Sequence, residues 1–105
     1  MAQYDVYVNP NPRSREAVPF VVDVQSGLLN GLRTRLTMPL SRVGLNASNV
    51  SKRLLPKFSI KGELLALYAH QASPLEARWL KGPVDSLATQ AGEIRDALDA
   101  VLSGI

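Results

Sequence analysis

Two hydrophobic periods divide this chain, and their order limits what it can fold into. Through Leu40, apolar side chains fall at alternate positions: Tyr4, Val6 and Val8, then Val18, Phe20, Val22 and Val24, then Leu36, Met38 and Leu40. A period of two marks strands buried on one face. Leu54, Phe58 and Ile60 resume strand spacing. Lys61-Gly62 suits a two-residue hairpin turn, since glycine takes positive φ cheaply. The nearly continuous apolar run over residues 63–69 then predicts a buried strand, although its composition also suits a helix. Only at the far end does the period change. Leu87, Ala91, Ile94, Leu98, Val101 and Ile105 are spaced by three and four, one face of a helix, with Gly92, Asp96, Asp99 and Ser103 opposite. Strands first and one helix last predict a single antiparallel α+β domain over residues 1–105.

Prolines and polar stretches set the expected boundaries. Asn9-Pro10-Asn11-Pro12 is a loop, and Pro19 puts the start of the second strand at an edge. The third strand is expected to end at Pro39. Residues 41–53 read as a long polar connection with at most one helical turn, and residues 73–83 fit no single pattern. Asp85 or Ser86 is a good N-cap for a helix running to about Leu102. Gly92 inside that helix costs about 1 kcal/mol relative to alanine, so it either permits close packing or is tolerated. Trp79 is expected in the core. Leu28 and Leu29 stand in the Gly/Asn-flanked loop 27–31, either tucked inward, which is slightly favoured, or offered to a partner.

The chain has 105 residues, 46% hydrophobic and 20% charged, which is ordinary for a globular domain and too apolar for disorder. No apolar run is long enough to cross a membrane, and the N-terminus lacks a basic start followed by an apolar stretch. With no cysteine, these features suggest a reducing cytoplasm. The sequons at Asn46 and Asn49 are then chance matches. Charge is uneven. Arg33, Arg35, Arg42, Lys52, Arg53, Lys57 and Lys61 occur with no acid among them, whereas the chain from Asp85 onward has four acids and one cation, Arg95. A basic middle suits either an acidic partner or an ordinary solvated surface.

Catalytic signatures are missing from the sequence. His70 is the only histidine and ends an apolar run, where a structural role is the common one. No Gly-rich phosphate loop or metal-ligand spacing occurs, so no cofactor and no metal are expected. Asp96 and Asp99 lie one helical step apart, a spacing more typical of a solvated face than of an acid/base couple. Nothing requires an enzyme.

Several stretches together resemble the CcdB family, the gyrase-poisoning toxins of bacterial toxin–antitoxin modules. Val21-Val22-Asp23-Val24-Gln25-Ser26 is similar to that family's FVDVQS strand, and Leu28-Leu29 follows as its aliphatic pair. Arg35, Pro39 and Leu40 stand at the family's Arg…Pro-Leu spacing. Val50-Ser51 and Leu54-Leu55-Pro56 resemble its VSRELYP segment, and Ala72-Ser73 falls in the corresponding turn with Pro74 one place early. Glu93-Ile94-Arg95-Asp96-Ala97 resembles the last helix, and Gly104-Ile105 matches the terminal Gly-Ile. The likeness covers nearly the whole chain almost without gaps.

The resemblance implies an SH3-like barrel: a twisted antiparallel sheet, a small second sheet and a C-terminal helix. It implies a homodimer that binds the DNA gyrase A subunit, traps the cleaved-DNA complex and is displaced by a cognate antitoxin, with no membrane and no direct sequence-specific nucleic-acid binding. The family's gyrase contacts carry over to Leu28, Leu29, Asp96, Asp99, Gly104 and Ile105. Where the family ends Trp-Gly-Ile, this chain has Ser103, and Asp99 stands where Asn is typical. The lost ring can be worth about 1–2 kcal/mol over a guanidinium. Three functions therefore stay open: a gyrase toxin weakened at Ser103, an mRNA-cleaving toxin of similar fold, and a non-toxic homologue that keeps antitoxin binding.

Overall fold

The computed structural model describes residues 2–45 and 52–104. Strands β1 (Asp5–Val8), β2 (Phe20–Asp23) and β3 (Thr34–Ser41) form an antiparallel meander. Val6 pairs with Val22 and Val22 with Met38, which lines three fully buried side chains across the sheet. β4 (Lys57–Ile60) and β5 (Glu63–Leu67) make a hairpin closed by Lys61 and Gly62, at φ 53° and 82°. Two positive φ angles are the signature of the turn whose twist matches the strands it joins.

β3 is the branching strand. Its first half, Thr34 to Thr37, pairs with β6 (Ser73–Glu76), and its second half, Leu40 and Ser41, pairs with β5. The outer edge of β1 carries the two-residue β7 (Asp85–Ser86). The path is β4-β5-β3-β2-β1-β7 with β6 added at β3. All seven described strands belong to one sheet, and in place of the expected small second sheet a single strand, β6, branches from β3. A nearly closed antiparallel barrel and one terminal helix, α1 (Ala91–Ser103), give the expected SH3-like α+β fold. Val6, Met38, Leu40, Phe58, Ile60, Leu65 and Leu67 fill the barrel, and Leu87, Ile94 and Ala97 close it from the helix side. Tyr7, Val21 and Leu80 form a second, smaller cluster.

Several boundaries differ from those the sequence suggests. β2 lacks Val18 and Val24, and Leu54 lies ahead of β4. β3 does not end at Pro39. The Pro39 carbonyl accepts from Tyr68 N–H, and a strand residue's N–H points to the same side as its carbonyl. On that side β3 is exchanging β6 for β5, so the missing donor interrupts no paired stretch. The helix starts at Ala91 because Asp85 and Ser86 are taken into the sheet, paired with Val6 and Asp5. The Ser86 hydroxyl does accept a backbone N–H, that of Ala88, but the turn it serves is the 3-10 segment Ala88–Gln90. The ambiguous 73–83 resolves into β6 and the 3-10 turn Ala77–Trp79. Part of the 41–53 connection, both sequons, Val50-Ser51 and Ile105 lie outside the described residues.

Candidate partner-binding surface

Leu28 and Leu29 face outward, against the inward preference. They sit on the 3-10 turn Gly27–Leu29 between β2 and β3, Leu28 95% exposed and Leu29 about half. Ser26 caps the turn, its Oγ accepting from Leu28 N–H at 3.1 Å. Beneath it lies a buried charge. Arg35 is 1% exposed and donates through Nε to Asp23 Oδ2 at 2.8 Å. The alternation on β3 is reversed here from the one its apolar residues suggest: Leu36 is the exposed member at 36%, while Arg35 and Thr37 turn to the opposite face and are buried.

The helix supplies the second patch. Asp96, Asp99 and Ser103 share one exposed face of α1. Ser103 Oγ donates back to Asp99 O at 2.6 Å, and Gly104 ends the helix at φ 72° with its N–H on Ala100 O at 2.9 Å. That left-handed close suits glycine, which has no Cβ to clash. The helix packs chiefly on the 3-10 turns Ala69–Gln71 and Ala88–Gln90. The expected contacts thus lie on two elements, the leucine turn and the helix end.

A third feature escaped sequence reading. Trp79 is not in the core but 47% exposed, in a cleft of about 890 Å³ walled by Pro10, Pro12, Arg15, Arg78 and Lys81. Arg15 is held there by its Nε–H bond to Asn9 O at 2.9 Å. Arg78 and Arg33 share the single Glu76 carboxylate, at 2.9 and 3.7 Å. The cleft walls carry cations and no acid. Two cations of the basic middle are neutralised. Arg35 is buried against Asp23, and Arg42 forks onto Glu63, which holds the Glu63 carboxyl below its ordinary range and the guanidinium above its own. The separation of Trp79 from Arg15 in sequence hid the cleft; only the turn after β6 brings them together.

A family model described as CcdB protein matches residues 3–104. The chain belongs to the CcdB family. Membership makes it a toxin of the toxin–antitoxin class, and the barrel and terminal helix agree with that assignment. A search of curated proteins gave no match. No described helix is long and apolar enough to cross a membrane. Among the described residues no group of three acidic, histidine or cysteine side chains is placed to hold a metal. His70 is exposed and stacks on Tyr68, with ring centroids 5.2 Å apart.

Proposed function

We propose that this CcdB-family protein is a homodimeric, non-enzymatic cytoplasmic toxin that binds the DNA gyrase A subunit and traps its cleaved-DNA complex. The observation that carries the reading is the outward leucine turn in a chain matched to the family over residues 3–104. Leu28 is 95% exposed and stands with the half-exposed Leu29 and Leu32 as an apolar patch on one loop, and such patches mark interaction sites. Asp96, Asp99, Ser103, Gly104 and Ile105 complete the proposed contact. Leu102, 76% exposed near the helix end, supports a dimer that covers it. The cognate antitoxin's acidic segment docks in the Trp79 cleft, whose lining carries Arg15, Arg78 and Lys81 and no carboxylate of its own.

The deciding experiment measures binding to a gyrase A-subunit fragment by wild type, Leu28→Ala/Leu29→Ala, Ser103→Trp and a chain lacking Gly104-Ile105, with circular dichroism to confirm folding. The leucine and truncated variants should weaken binding. Ser103→Trp places an indole on the polar helix face and should tighten it by about 2 kcal/mol, roughly thirtyfold. Four folded proteins of equal affinity would remove gyrase as the target. Sedimentation should give the mass of two chains at micromolar concentration. Specific cleavage of a transcript, lost in His70→Ala or Arg33→Ala, would favour the RNA-cleaving alternative.

A further inference from the structure

We propose that the buried Arg35–Asp23 pair, with Gln25 and Asn30, is a positioning device that fixes the Leu28–Leu29 turn outward before any partner arrives. This rests on the reading that the two leucines contact a partner.

The loop has no hydrophobic anchor of its own. Every residue from 27 to 33 is exposed. What closes its neck is a set of side-chain hydrogen bonds. Of the three donors Arg35 uses, one reaches its counter-ion. The other two serve the loop: Nη1 to Asn30 Oδ1 at 2.7 Å, just past the turn, and Nη2 to Gln25 O at 3.0 Å, just before it. Asp23 is committed on both oxygens, Oδ1 accepting from Gln25 N–H at 3.0 Å. The Gln25 side chain spans the neck. Its Nε2 donates to Leu29 O and Thr34 O, both at 3.1 Å, and its Oε1 accepts from Leu36 N–H at 2.9 Å.

A buried ion pair is a weak device for stability alone, since apolar residues of similar volume often do as well. Apolar residues could not bond a turn on both sides. The loop-directed bonds are what the charge adds. Leucines already held in their bound arrangement lose less conformational freedom on docking. Arg35, Asp23, Gln25 and Asn30 are thus positioning residues that act through Leu28 and Leu29.

Asn30 is itself exposed, so Asn30→Ala removes one bond without opening the core. Two readouts test the idea. The first is the NMR order parameter of the Leu28 and Leu29 amides in the free protein. It should be near the rigid value of about 0.85 in wild type, fall below about 0.6 in Asn30→Ala, and recover in Asn30→Asp, which keeps the acceptor. The second is a double-mutant cycle for binding to the gyrase A-subunit fragment. Asn30→Ala should weaken binding about fivefold in wild type and leave it unchanged in the Leu28→Ala/Leu29→Ala background. Equal losses in both backgrounds, or order parameters that do not move, overturn the proposal. If the leucine substitutions themselves leave binding unchanged, the gyrase reading has failed, and the order parameters alone decide whether the network positions the turn.

Discussion

At the scale of single residues, burial of charge is the dominant theme. Asp23 and Arg35 are both sealed from water, so Asp23→Ala strands a guanidinium without a counter-ion. The expected loss is about 3–5 kcal/mol, read as a lower urea midpoint. A loss under about 1 kcal/mol would mean that Arg35 swings out to solvent. Asp23→Leu/Arg35→Met should regain most of that stability while the turn amides stay mobile, separating the fold's need from the turn's. Tyr7 carries a pH signature. Desolvation raises its hydroxyl above the usual tyrosine value, Asp5 and Asp23 add to this, and Arg35 opposes it. The folded state then keeps a proton that the unfolded chain has already released. Stability is complete below about pH 10 and declines above it. Tyr7→Phe should lessen that alkaline decline in urea titrations, and an identical decline in both proteins would place its origin elsewhere. None of this burial was legible in the sequence. Arg35 falls in a run of cations on a strand that reads as one-faced with Leu36 inward, and the counter-ion that lets it be buried, Asp23, comes from another strand. Leu28 was ambiguous for another reason: a loop's side chains carry no period from which a face can be read.

At the scale of elements, the periods were legible and the ends were not. The Lys61-Gly62 hairpin and the helix stripe follow the local sequence closely, since turn chemistry and amphipathicity act over a few residues. The helix start depends on a tertiary fact: β1 has an open edge, and Asp85 and Ser86 pair with it before their capping side chains can open a helix. The glycine inside α1 and the one that ends it give opposite predictions. A Cβ at Gly92 meets nothing within 4 Å, so this glycine is tolerated and serves no close packing. Gly92→Ala should therefore stabilise by about 1 kcal/mol, a rise of several degrees in Tm. Gly104 is equally uncrowded, but its φ of 72° strains any L side chain. Gly104→Ala should cost about 1 kcal/mol and fray the last turn, seen as lost ellipticity. Substitutions that moved Tm in the same direction would show that the helix does not end in this left-handed close.

At the scale of the molecule, the arrangement of charge decides how an acidic partner approaches. Sequence pattern put the positive field in the middle of the chain, but folding spends Arg35 on Asp23 and Arg42 on Glu63. It also gathers Arg15, Arg78 and Lys81 around an exposed indole from segments far apart in sequence. Arg78 shares the Glu76 carboxylate with Arg33, so that one acid does not cancel both cations beside the cleft. Lys57 and Lys61 remain exposed on the β4–β5 hairpin and provide an internal control of equal charge. If the cleft receives the antitoxin's acidic segment, Arg78→Ala/Lys81→Ala should slow association at low salt and flatten its dependence on ionic strength. Lys57→Ala/Lys61→Ala should do so less, because steering by a focused patch exceeds the effect of the same charge placed elsewhere. Raising salt toward a Debye length of about 8 Å should bring the three on-rates together. Trp79→Ala should leave the on-rate alone and speed dissociation, since an aromatic contact acts after encounter. Equal slowing by the two double substitutions would show that net charge alone guides the partner and that the cleft has no part in its approach.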